Sequence, residues 1–128
     1  MKAPIIRHGN WEDNYDDPAH PIPSLTALDI QGIRKSGGSD MIIVVASPLQ
    51  ADERSQHRLL SKIELYLGHI RTEAYRSECG EPTPENTSIV VRIHPQSAAP
   101  IFDLLERCKP WVAENHATLR IESLETIQ

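Results

Sequence analysis

Long apolar runs are missing from this sequence. The longest, MIIVVA at Met41–Ala46, has six residues, against the roughly 20 needed to cross a bilayer, so no membrane span is expected. Basic charge is also short. Thirteen Lys and Arg face eighteen Asp and Glu, leaving a formal net charge of −5. Such a balance exerts no pull on a polyphosphate backbone or an anionic membrane, so nucleic acid and membrane are not expected partners. Aromatic residues make up only 5% of the chain, and they are not interleaved with Lys or Arg along one strand, which argues against a base-stacking platform. There are two cysteines, Cys79 and Cys108, and their spacing is not that of a metal site. The N-terminal MKAPIIRHGNWEDN has no apolar h-region, so no secretory signal is expected. Two reduced thiols near helix ends and a cytoplasmic setting are then the expectation, with a disulfide between the two as the alternative.

Signatures of chemistry are absent as well. There is no G-x-S-x-G. SGGSD lacks the Lys-Ser/Thr of a phosphate-binding loop, and a hairpin turn explains its glycines. Six histidines are present, but none forms an H-x-x-x-H pair. His57 and His69, on one helix, would stand about 18 Å apart, too far to share an ion. His8, Asp13 and Asp16 would form at best a loose ligand set on a tail. Neither a metal nor a cofactor is expected.

What the sequence does contain is a globular pattern. The chain has 128 residues, 39% of them hydrophobic and 24% charged, enough for one domain with a real core. Residues 1–24 stand apart. They hold Pro4, Pro18, Pro21 and Pro23 and carry a charge of −2, which predicts an extended or irregular acidic segment ahead of one domain over residues 25–128. LTALDIQGIR alternates as a half-buried strand, with Thr26, Leu28 and Ile30 on one face and Asp29 and Gln31 on the other. KSGGSD reads as a hairpin loop, and MIIVVA as an interior strand covered on both faces. Asp52 is a candidate N-cap for a long amphipathic helix running to Cys79-Gly80, its charges Arg58, Lys62, Glu64, Arg71 and Glu73 assigned to a solvated outer face. SIVVRIH alternates, with Ile89, Val91 and Ile93 opposite Val90, Arg92 and His94. Ser97 is expected to cap a second helix that carries Ile101, Leu104, Leu105, Cys108 and Val112, with Pro110 kinking or ending it. TLRIESL closes the pattern, Leu119 and Ile121 inward, Thr118, Arg120 and Glu122 outward.

The order β-β-α-β-α-β predicts an α+β two-layer sandwich, a four-stranded sheet with two helices on one face. The opposite face is expected to carry Asp29, Gln31, Arg92, His94, Arg120 and Glu122, with Ile33 and Val90. That cluster is either a set of cross-strand ion pairs or, less simply, an acid–base site. Because MIIVVA looks covered on both sides, something should lie over part of this face. The candidates are the N-terminal segment through Ile5, Ile6 and Trp11, a second copy of the chain, or a partner.

LDIQGI, the glycine hairpin, QHRLLSKIELYLGHI, SIVVRIHP and TLRIESL together resemble a family of small bacterial proteins known only as a domain of unknown function. The resemblance covers roughly residues 25–124 and rests on an L-x-x-K-I-x-x-Y-L spacing, here Leu59 or Leu60, Lys62, Ile63, Tyr66 and Leu67. It implies the ββαβαβ plan and no catalytic residues. A small acidic domain in such a family is expected to be a protein-binding domain rather than an enzyme. The leading expectation is an immunity protein that neutralises a basic toxin or effector domain. The contact would be WEDNYDD, where Trp11, Glu12, Asp13, Tyr15, Asp16 and Asp17 bring carboxylates and aromatic anchors together. The alternatives are a self-associating module, for example a homodimer, and a small enzyme built on the sheet-face cluster.

Overall fold

A computed structural model of the protein describes residues 16–124. Four strands, β1 (Ile30–Ile33), β2 (Ser39–Val45), β3 (Thr87–Ile93) and β4 (Thr118–Ser123), form one sheet in the order β1-β2-β3-β4. The first pair is antiparallel and the other two are parallel. The crossover from β2 to β3 runs through α1 (Glu53–Ile70) and α2 (Glu73–Cys79), and that from β3 to β4 through α3 (Ala99–Glu114). This is an α+β sandwich of two layers, with α1 and α3 packed side by side.

The alternation of the strands sets the core. Met41, Ile43 and Val45 of β2, Ile89, Val91 and Ile93 of β3, and Leu119 of β4 are buried under the helices. From above they meet Leu59, Ile63, Tyr66, Leu67 and Ile70 of α1 and Ile101, Leu104, Leu105, Cys108 and Val112 of α3. The amphipathic spacing read in the sequence accounts for both stripes.

Local chemistry shifts several element boundaries. Asp52 caps α1, its carboxylate accepting the Ser55 N–H at 3.1 Å. The helical run does not continue to Cys79, however. Thr72 interrupts it and caps α2 by accepting the Tyr75 N–H at 3.1 Å. Ser97 does not cap α3: its Oγ instead accepts the Leu49 N–H at 3.0 Å, and the N-cap is Ala98 with no side-chain bond. Pro110 lies inside α3 without ending it. Its ring is exposed, and so is Glu106, the residue one turn earlier whose carbonyl loses its helical donor.

The largest departure concerns the chain before β1. The alternation expected from Leu25 survives only from Ile30, because residues 17–29 run along α1 instead of along β2. Ile22 and Leu25 are buried in the core, so the folded unit includes residues ahead of Leu25. Arg58 and Lys62, assigned to solvent by their charge, are buried, at 0% and 1% exposure. Arg58 donates from Nε and Nη2 to the Ile22 carbonyl at 3.0 and 2.7 Å. The three donors of Lys62 Nζ are all used, on Ser24 O at 2.8 Å, Ala27 O at 2.7 Å and the Asp29 carboxylate at 2.9 Å. An irregular segment cannot bond its own carbonyls in a ladder, and these two cations satisfy them.

Candidate functional site

The sheet face opposite the helices is the candidate. Its residues follow from strand register. One row across the sheet reads Gly32, Asp40, Ser88, Thr118; the next reads Ile30, Ile42, Val90, Arg120; the third reads Val44, Arg92, Glu122. The apolar residues therefore gather toward β1 and β2, and the charges toward β4. Val90, central in this face, is only 2% exposed, whereas Ile30 at the rim is 46% exposed.

Two ion-pair groups frame the apolar row. Arg92 Nε lies 3.3 Å and Arg120 Nη2 3.0 Å from the two carboxylate oxygens of Glu122. Arg120, then Arg92, hold the Glu122 carboxyl below the usual carboxylate range. At the other end Arg34 reaches from the hairpin to both oxygens of Asp40, to Ser88 Oγ at 3.1 Å and to the Glu85 carbonyl at 3.1 Å. Arg34 and Asp40 cancel in charge, while Arg92 and Arg120 share one carboxylate. Among the described residues one positive charge is left over in these two groups.

Only part of the expected cluster assembles. Arg92, Arg120 and Glu122 come together as the alternation required. Asp29 and Gln31 do not join them. Gln31 pairs with Met41 on the helix-covered face, where it accepts from His69 Nε2 at 3.0 Å and meets Cys79 Sγ at 3.9 Å. Asp29 turns toward α1, accepting from Lys62 and from the Val44 N–H at 3.0 Å. Both are inverted relative to expectation because the strand starts at Ile30 and the helices offer polar partners. Ile33 likewise pairs with Ser39, on the helix side, yet is 51% exposed at the edge. His94 lies past the end of β3 in a turn, its Nδ1 accepting the Gln96 N–H at 3.1 Å. Of the acidic segment, Trp11, Glu12, Asp13 and Tyr15 fall outside the described residues, as do Ile5, Ile6 and His8. Asp16 is exposed and bridges Ser24, whereas Asp17 is paired with Arg54 of α1 and so is already engaged.

A second constellation was not legible in the sequence. His20, Ser55 and Asp52 come together at the start of α1, the residue types of a nucleophilic triad. The bonding is that of a cap, not of a triad. His20 Nδ1 accepts the Ile22 N–H at 2.9 Å, so the ring proton sits on Nε2, which donates to Ser55 Oγ at 3.0 Å. A histidine holding its proton toward the serine cannot take the serine's own. Asp52 bonds Ser55 as a helix cap, not the imidazole. Ser55 is also buried, at 4% exposure.

Cys79 and Cys108 are free thiols, both buried. Among the described residues no group of three or more His, Cys, Asp or Glu could hold a metal ion, and no helix is long and apolar enough to cross a membrane. No family model, curated protein or solved structure matches the chain.

Proposed function

We propose that the chain is a small cytoplasmic protein-binding domain that seats the sheet face opposite its helices on a partner, in the manner of an immunity-type inhibitor. The observation that carries this reading is the row Ile30, Ile42, Val90, with Val44 beside it, running into Arg92 and Arg120 on a face that no helix of the described residues covers, with the exposure concentrated at Ile30 rather than at the nearly buried Val90. An apolar centre with arginines at its rim is the chemistry of a protein interface. The surplus positive charge suits a carboxylate on the partner. The acidic stretch ending at Asp16 suits a basic patch. A toxin or effector domain with both would satisfy each contact. Catalysis has less support, since Glu122 is clamped by two arginines and Ser55 faces a protonated imidazole nitrogen.

The test is affinity capture from the source cell with the tagged full-length protein, beside an Arg92→Glu/Arg120→Glu variant checked for folding by circular dichroism. One stoichiometric partner bound by the parent and lost by the variant is the expected outcome. A partner retained by the variant would move the contact off the sheet face, and no partner at all would sink the reading.

A second reading, self-association, is favoured by one observation. Ile30 and Ile33 are the exposed large hydrophobics among the described residues, and both lie on the edge strand β1. It expects a dimer in sedimentation that Ile33→Lys returns to monomer.

A further inference from the structure

Residues 16–24 form a closed loop on the flank of α1. Asp16 bridges Ser24, and the Asp17 N–H bonds Pro23 O at 2.8 Å. The loop is held to the helix by the Asp17–Arg54 ion pair, by His20 on Ser55, by Arg58 on the Ile22 carbonyl, by the buried Ile22 side chain and, at its end, by Lys62 on the Ser24 carbonyl. His20 is the one member of this set whose charge changes in mild acid.

The imidazole is committed on both sides. Nδ1 accepts from the Ile22 amide and Nε2 donates to Ser55. A second proton can go only on Nδ1. There it removes the acceptor of a backbone N–H in a partly buried site and sets two N–H groups against each other. The new cation faces Arg54 and Arg58 from α1, against Asp52 at the cap and Asp17 within the loop. Two arginines that already bind the loop thus meet a like charge inside it.

We infer that His20 is a pH-operated latch, and that protonating its ring releases residues 17–23 from α1 while the sheet and the Lys62 bonds to Ser24, Ala27 and Asp29 stay in place. Release uncovers the seat of Ile22 and the guanidinium of Arg58, an apolar and cationic strip along one helix.

The direction of titration agrees. Burial first, then Arg58 and Arg54, push His20 below its ordinary value of 6.5. A histidine depressed in the folded state binds fewer protons there than in the released loop. Its contribution is complete above the ordinary value and is lost as pH falls below it, through the lower folded value. Asp17 lies below its ordinary 3.8 through its hydrogen bond from Arg54. Asp52 does too: burial opposes its ionisation, but bonds from Ser55 outweigh it. Both carboxylates therefore stay charged across the window in which His20 changes.

Hydrogen exchange of the full-length protein at pH 7.5 and 5.5, corrected for intrinsic rates, tests the latch. Protection over residues 17–23 is expected to fall severalfold at the lower pH, up to a ceiling of about tenfold set by a released histidine that titrates at its ordinary 6.5, while β2 and β3 keep theirs. His20→Gln, which cannot titrate, is expected to remove that difference. Nitrogen chemical shifts of the His20 ring give a measurement on the unaltered chain, with the Nε2–H tautomer at pH 7.5 and titration in step with loop exchange. Equal loop protection at both pH values would overturn the inference. So would a pH difference that survives in His20→Gln, loop and strands losing protection together, or a ring that titrates with the loop unmoved.

Discussion

His116 has φ 72°, in the left-handed region that side chains with a Cβ seldom occupy. It follows the last turn of α3, where its N–H bonds Ala113 O at 3.2 Å and the Ala117 N–H bonds Val112 O at 3.2 Å. That pair is the Schellman ending, which glycine makes most cheaply. His116→Gly should therefore raise stability by about 0.5–1 kcal/mol in urea unfolding, the left-handed cost less the extra backbone entropy of glycine. Gly38 is the opposite case. Its φ is +82°, and a Cβ there would lie 1.9 Å from the Asn86 carbonyl oxygen, backbone that cannot swing aside. Gly38→Ala should cost about 3 kcal/mol or more, and Gly37→Ala, whose Cβ would meet Cys79 O at 3.6 Å, distinctly less. The glycine pair reads as a hairpin from sequence alone. Which of the two is indispensable does not, because Asn86 reaches it from the loop before β3. His116 carried no sequence signal at all.

At the scale of the element, α1 holds the main lesson. Arg54, Arg58, Lys62 and Tyr66 recur every fourth residue and so share one face. Each meets the next stretch of the preceding chain: Asp17, the Ile22 carbonyl, then Ser24, Ala27 and Asp29, and finally the Asp29 N–H, which Tyr66 Oη accepts at 2.7 Å. Tyr66 Oη in turn donates to Ile42 O at 3.0 Å, tying this seam to the sheet, and burial first of all pushes its phenol well above the ordinary range. Charge pattern alone assigns such cations to water, since nothing local distinguishes a lysine facing solvent from one facing carbonyls brought in from outside the helix. Lys62→Met should cost about 2–4 kcal/mol, because it leaves Asp29 and two carbonyls without their donor. Arg71→Met, at an exposed position with a single 3.3 Å bond to Asn115, should change stability by less than about 0.5 kcal/mol. Equal losses in urea titrations of the two variants would contradict the seam.

On the scale of the whole molecule, the layers close over both thiols. Burial pushes Cys108 up to about 12, and Cys79 is raised too, by burial and then by Glu78. Neither should react with a thiol reagent at pH 8 in the native protein, and both should react once it unfolds. Rapid labelling of Cys79 alone would mean that α2 opens independently of the core.

The sequence by itself determined the strand and helix periods, the residues that face the core, the glycine hairpin and the α+β plan, because burial at periods of 2 and 3.6 leaves a local trace. It also placed Arg92, Arg120 and Glu122 together on the face opposite the helices, since alternation within a strand is local too. The tertiary structure alone decided where β1 begins, which cations are buried, why Asp29 and Gln31 turn to the helices, and that His20 meets Ser55. Each of these depends on a partner about thirty or more residues away along the chain, and a polar side chain's choice between water and such a partner leaves no pattern in its neighbours.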